Sequence, residues 1–182
     1  MKNMIHLVSG GSYNFTNPEL SVYTIEDIAR NLSHINRFTG STEVAYNVSQ
    51  HSVYVSLLLE AWGHQHLAME GLLHDAVEAF TGDVSRPLKD LLPDYRKIEL
   101  KNEKAIFAKY NLPFPMDFLT KQADNAVFVA ERRDLQPKCP QGMMDKEGNV
   151  IQAAPFKIVP WSAKKSEKEF LKRFYELGGE NK

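Results

Sequence analysis

Apolar residues recur along most of this chain at helical spacing. In TIEDIARNLSHI, Ile25, Ile28, Ala29, Leu32 and Ile35 fall at intervals of three and four, which stacks them on one helix face, and Thr24 stands where an N-cap belongs. VSQHSVYVSLLLEAW, residues 48–62, is apolar nearly all round after His51, so this helix is expected at the centre, with Ser49 as its cap. HLAMEGLLHDAVEAF, residues 66–80, predicts another helix, ended near Gly82. A turn around SRPLKDLL leads to a charged amphipathic helix over roughly 94–110, and Pro113 and Pro115 break the chain before a helix over 116–135. Ser162 caps a last helix with the stripe Phe170, Leu171, Phe174 and Leu177, and Gly178 ends it.

Two stretches lack this period. The first 23 residues, with GGS at 10–12 and Asn17-Pro18, read as an irregular or short-hairpin lead-in. Residues 136–160 hold four prolines and two glycines and read as a long loop, of a length that usually serves to cover a site or to contact another subunit. The expected architecture is all-α: a compact helical bundle forming one domain over residues 1–182.

GLLHDAVEAFTGD, residues 71–83, departs from the apolar logic around it, because His74, Asp75, Glu78 and Asp83 crowd a segment that otherwise belongs in the core. Adjacent helical residues point about 100° apart, so His74 and Asp75 cannot form a flat pair, yet both can reach one ion at the helix edge. His51 in the central helix and Asp124 in KQADNAV, flanked by the apolar Ala123, Ala126 and Val127, are candidates to complete the set. Two imidazoles and two carboxylates from three helices suit a divalent ion with open positions. Salt bridges to Arg37, Lys89 or Lys121 are the structural alternative, since burying such charges unpaired costs several kcal/mol each.

The net charge of -1 gives no general attraction to nucleic acid polymers or anionic membranes, so a phosphorylated ligand would be held by local cations. The single cysteine, Cys139, leaves no internal disulfide, and neither a signal-like run nor an apolar stretch of ~18 residues is present. A cytoplasmic protein without a membrane partner is expected.

The order H…HD…D at His51, His74, Asp75 and Asp124 resembles the HD-domain phosphohydrolases, which are all-helical and metal-dependent. SQHS, HDAVEAFTGD, the basic residue after RPL, and Arg37-Phe38 upstream resemble the YfbR-like 5′-deoxynucleotidase branch; IEDIARNLSHINRF…YNVSQHS with ADNAVFVAERRDL resembles small phage-encoded HD enzymes. The similarity covers roughly residues 24–135. It implies one divalent metal (Mn, Co, Zn, Fe or Mg) on the four ligands, Glu78 as general acid or base, and Asp83 as a second acid that orients or activates water. Arg37, Lys89 and Lys121 are implied as substrate cations, and Arg132 or Arg133 could extend them along a longer phosphate chain. Phe38 is implied as a face for sugar or base, although that branch usually carries Trp there. His64 and His66 precede the His-Asp pair and fit a helix connection, so one metal is expected rather than two. The implied reaction converts a deoxynucleoside monophosphate to deoxynucleoside and phosphate, in a homo-oligomer. Release of triphosphate from a deoxynucleoside triphosphate is the alternative, and an inactive nucleotide-binding module the remote one.

Overall fold

The computed structural model describes residues 3–140, 142–145 and 147–180. The expected bundle of helices is what the chain forms, in the order α1 (Ile25–His34), α2 (Val48–Ala61), α3 (Ala68–Leu73), α4 (Glu78–Thr81), α5 (Arg86–Lys89), α6 (Pro93–Lys109), α7 (Phe118–Leu135) and α8 (Ala163–Glu176). The lead-in is a small antiparallel hairpin of β1 (Met4–His6) and β2 (Ser12–Asn14), with Ile5 opposite Tyr13. Tyr13 turns inward and stacks on Phe80 with ring centres 3.7 Å apart, so the hairpin closes one end of the core.

Local chemistry sets the helix ends. Thr24 and Asp27 form a reciprocal capping box at the start of α1, and Ser162 caps α8. Gly178, at φ +78°, ends α8: its amide and that of Gly179 reach back to the carbonyls of Tyr175 and Phe174. The cap of α2 is Asn47 rather than Ser49. The Asn47 side chain accepts from the Gln50 amide at 3.0 Å, while the Ser49 hydroxyl donates to the Ser166 carbonyl and ties α2 to α8.

α2 is the axis of the fold, packed against α1, α3, α7 and α8. Apolar residues lie on both sides of it, Ile28, Leu32, Leu72, Leu73 and Phe170 in one cluster and Val55, Leu58, Leu59, Ala126 and Val127 in the other. Gly71 lets α3 approach closely: a Cβ there would lie 2.5 Å from Leu59 Cδ1 and 3.3 Å from the Ser56 backbone. The Ser56 hydroxyl completes the contact by donating to the Ala68 carbonyl at 2.7 Å.

The helix expected over 66–80 is broken. α3 stops at Leu73, and from there the amides of Ala76, Glu78, Ala79 and Phe80 each bond three residues back instead of four. The Gly71 carbonyl, which a continuing α-helix would offer to the Asp75 amide, receives His74 Nδ1 at 2.8 Å. In such a tightened turn residues i and i+3 lie nearly in line, which sets Glu78 directly along from Asp75.

The stretch 136–160 is irregular among its described residues, and its second half is strapped across α2 and α7. The Ala154 amide donates to the Ala126 carbonyl, Gln50 Nε2 donates to the Val159 carbonyl, and the Trp161 amide donates to Gln50 Oε1.

Gly71→Ala tests the α2–α3 approach. Better helix propensity would add at most ~1 kcal/mol, but the Cβ would meet the fully buried Leu59, and overpacking costs about 1–3 kcal/mol. A lower denaturation midpoint is expected; an unchanged or higher one would show that the contact yields.

Candidate metal centre

The first turn of α2, the tight turn after α3 and the middle of α7 meet at one buried point. His51 Nε2 lies 3.3 Å from His74 Nε2 and 3.2 Å from Asp124 Oδ1, and His74 Nε2 lies 3.9 Å from that same oxygen. Ligand atoms of these three residues lie within 4.8 Å of one another. Donors about 2.1 Å from a shared ion stand roughly 3–4 Å apart, so this trio has the spacing of a coordination shell. Asp75 is beside it, with Oδ2 at 3.1 Å from His74 Nε2 and 3.7 Å from His51 Nε2, and it also faces Arg37 Nη1 at 3.5 Å.

Outer hydrogen bonds decide what the imidazoles present. His51 Nδ1 lies 2.6 Å from Glu131 Oε1, and His74 Nδ1 lies 2.8 Å from the Gly71 carbonyl. Both partners are acceptors, so each Nδ1 carries the proton and each Nε2 turns a lone pair inward. Two nitrogen lone pairs and carboxylate oxygens therefore face a common, largely buried space, a donor set that fits a divalent cation. When a proton stands in for the ion, burial and Arg37 push the His51 imidazole down, but Glu131 and Asp124 outweigh them and lift it to about 9.

Glu131 was not foreseen from the sequence. It is fully buried and also accepts from Arg37 Nε at 3.1 Å and the Tyr46 hydroxyl at 2.8 Å. Its signal was available: it follows Asp124 by seven residues, two turns along the same face of α7. A second clamp is built four residues before two members of the cluster. Glu70 precedes His74, Thr120 precedes Asp124, and Glu70 Oε1 accepts from the Thr120 hydroxyl at 2.5 Å and the Asp117 amide at 2.9 Å. α3 and α7 are thus pinned one turn away from their ligands.

A cleft of about 480 Å³ opens beside the cluster and contains every other residue expected at the site: Glu78, Asp83, Arg37, Phe38, Lys89 and Lys121. Glu78 is buried, and Oε2 lies without a hydrogen-bond partner among the described residues. Burial, then the neighbouring Asp75 and Asp83, raise its carboxyl well above the ordinary range. Asp83 is raised as well, by burial and then Asp75, against the opposing pull of Arg37. The cations are engaged with these acids: Lys89 lies 3.4 Å from Glu78 and 2.6 Å from Glu99, and Lys121 pairs with Asp124.

Phe38 and Thr39 both adopt left-handed backbone, at φ 57° and 56°. That conformation is costly for residues other than glycine and tends to persist where function holds it. Here it sets Phe38 in the cleft wall, stacked on Phe128 at 5.6 Å between ring centres. Phe128 was also unforeseen, though it lies one turn after Asp124. Arg132 and Arg133 do not line the cleft: Arg132 bonds to the Pro140 carbonyl, and Arg133 to Asp134 and the Phe156 carbonyl. His64 precedes the short turn Gln65–Leu67 that joins α2 to α3 and His66 lies within it, their ring centres 6.0 Å apart.

The chain is thus a mostly helical protein with a buried histidine–carboxylate cluster compatible with a metal ion, set beside an acid-lined cleft. No family model matches it. It is 36% identical over 180 residues to the Escherichia coli protein named uncharacterized protein YfdR, covering 96% of each chain, and it belongs to the same family as that protein. It is also 28% identical over 160 residues to uncharacterized protein RCAP_rcc00048 of Rhodobacter capsulatus, covering 82% of this chain and 79% of that one. A shorter match, 30% identical over 88 residues, covers 40% of this chain and 45% of a Vibrio atlanticus protein named 5′-deoxynucleotidase. No helix among the described residues is long and apolar enough to cross a membrane.

Divalent ion binding is expected to release protons, because the ion displaces the His51 proton. Affinity for Mn²⁺ or Zn²⁺ by calorimetry should rise with pH towards about 9 and level off above it. Glu131→Gln should weaken that affinity by about 10–100-fold; an unchanged value would make Glu131 a packing residue only.

Proposed function

We propose that this protein is a metal-dependent HD-type phosphohydrolase that cleaves the 5′ phosphate ester of deoxynucleotides, with deoxynucleoside monophosphates as the leading substrate. The observation that carries this reading is the convergence of inward Nε2 lone pairs of His51 and His74 on Asp124, beside a cleft holding a protonatable Glu78. The partial match to a protein named 5′-deoxynucleotidase supports the substrate class.

His51, His74, Asp75 and Asp124 would hold one divalent ion, which in such a site lowers the pKa of bound water and polarises the phosphoryl group. The chain's own residues divide the remaining work. Arg37 places a guanidinium between Asp75 and Glu131 at the cleft wall, where it fixes both carboxylates and presents positive charge towards phosphoryl oxygens. Glu78, kept neutral by burial and by Asp75, holds a proton at Oε2 for the departing 5′ oxygen. Asp83, with its basicity raised, orients the attacking water and accepts its proton. The stacked Phe38 and Phe128 offer an apolar face to sugar or base.

The acid role of Glu78 has a distinct kinetic consequence. Glu78→Gln should retain metal and lower turnover of a deoxynucleoside monophosphate by roughly 100-fold or more. It should spare p-nitrophenyl phosphate, whose leaving group departs without a proton. Equal losses on both esters would remove the acid role. Asp75→Ala, by contrast, should lose both metal and hydrolysis, and retained activity would sink the metal-dependent reading.

A further inference from the structure

The stretch from Gly82 to Leu92 carries two residues of the cleft, Asp83 and Lys89, yet none of its residues is buried. Leu88, Leu91 and Leu92 are exposed, and the amides from Leu88 to Leu92 bond to carbonyls of the same stretch. Exposed chain with only local bonds opens at little cost. Two side chains placed on it for chemistry therefore need support from elsewhere.

That support comes from the first turns of α6. Between Leu91 and Lys101, Tyr95 and Glu99 alone are drawn in from full exposure, and they stand one turn apart on the same helix face. Neither lines the cleft. The Tyr95 hydroxyl lies 3.2 Å from the Gly82 carbonyl and 3.2 Å from Glu99 Oε1. Glu99 Oε1 also receives Lys89 Nζ at 2.6 Å, which leaves the one phenolic proton for the carbonyl. That carbonyl belongs to the peptide unit leading into Asp83, and because the unit is planar, holding its oxygen fixes the direction in which Asp83 departs. Lys89 stands 3.4 Å from Glu78, so its closer partner is the acid outside the cleft. Arg96, exposed on the same turn, adds a bond to the Lys89 carbonyl at 3.1 Å.

We propose that Tyr95 and Glu99 are positioning residues for the hydrolytic site: Tyr95 aims Asp83 through the Gly82 carbonyl, and Glu99 holds the Lys89 ammonium at its distance from Glu78. This rests on the phosphohydrolase reading and deepens it, since a helix face outside the cleft then sets the geometry of an acid and a cation inside it.

The test separates holding from reacting. Amide exchange by NMR at Leu88, Lys89 and Asp90 is compared in wild type, Tyr95→Phe, Glu99→Gln and, as a surface control on the same helix, Lys97→Ala. Losing one such bond should speed exchange there by roughly 3–10-fold while α7 exchanges as before. On a deoxynucleoside monophosphate, Tyr95→Phe should lower kcat by roughly 3–10-fold with KM within about twofold, and Glu99→Gln should lower kcat/KM by roughly tenfold or more. Each loss should shrink to less than about twofold where its target is already gone, in Asp83→Asn for Tyr95→Phe and in Lys89→Ala for Glu99→Gln. Lys97→Ala should match wild type throughout. Unchanged exchange, unchanged turnover, or losses that persist in full in those backgrounds would each overturn the proposal. If wild type hydrolyses no nucleotide, the phosphohydrolase reading fails, and the exchange rates alone decide whether α6 holds the segment.

Discussion

Lone pairs of His51, His74 and Asp124 meet at the edge of the helical core at 3.2, 3.3 and 3.9 Å, where both rings are buried and only Asp124 reaches the cleft. Electron-rich groups at that spacing, largely shielded from solvent, repel unless something positive stands between them. The surrounding structure holds them together against that repulsion. Glu131 fixes one ring, the Gly71 carbonyl fixes the other, and the bond from Thr120 to Glu70 sets the registry of the two elements that carry His74 and Asp124. Even the helix break after Leu73 belongs to this scheme, because the carbonyl that orients His74 is one the helix would otherwise have used.

The same break determines the electrostatics of the cleft. Bonds that reach three residues back bring Asp75 and Glu78 into line. Two carboxylates so placed do not readily ionise together, and the one beside the two imidazoles keeps its charge. Asp75, although burial opposes it, is held below the ordinary range by His74 and His51; Glu78 takes the opposite course. Adjacent acids with opposed tendencies are what acid–base work requires.

Much of this was legible in the sequence, and what was not has physical reasons. α1 and α8 could be drawn from apolar spacing and capping residues, and α6 and α7 from the turn and prolines that bound them. The histidines and aspartates of the cluster could be selected because they are costly in apolar segments. The cap of α2 was misplaced by two residues, since Asn47 and Ser49 are equally able caps and only the contact with α8 decides between them. The break after Leu73 was invisible because it arises from a side chain competing for a backbone carbonyl, not from glycine or proline. Glu131 and Phe128 lie at positions related to Asp124 by whole turns, so their significance appears only once Asp124 is given a role. The charge pairing of Arg37 and Lys89 depends on distances between elements that no linear pattern contains, whereas Lys121 meets Asp124 within one turn of α7.

α8 has a consequence for the order in which the protein comes into being. It is the last of the described helices in chain order, yet Ser166 bonds to Asn47 and Ser49 at the start of α2, and Arg173 bonds to Ser56 further along it. Each of His51, His74, Asp75 and Asp124 has left the ribosome before that support exists. During translation the nascent chain therefore carries all four of these side chains on an unfinished scaffold, and the arrival of α8 completes the support around them.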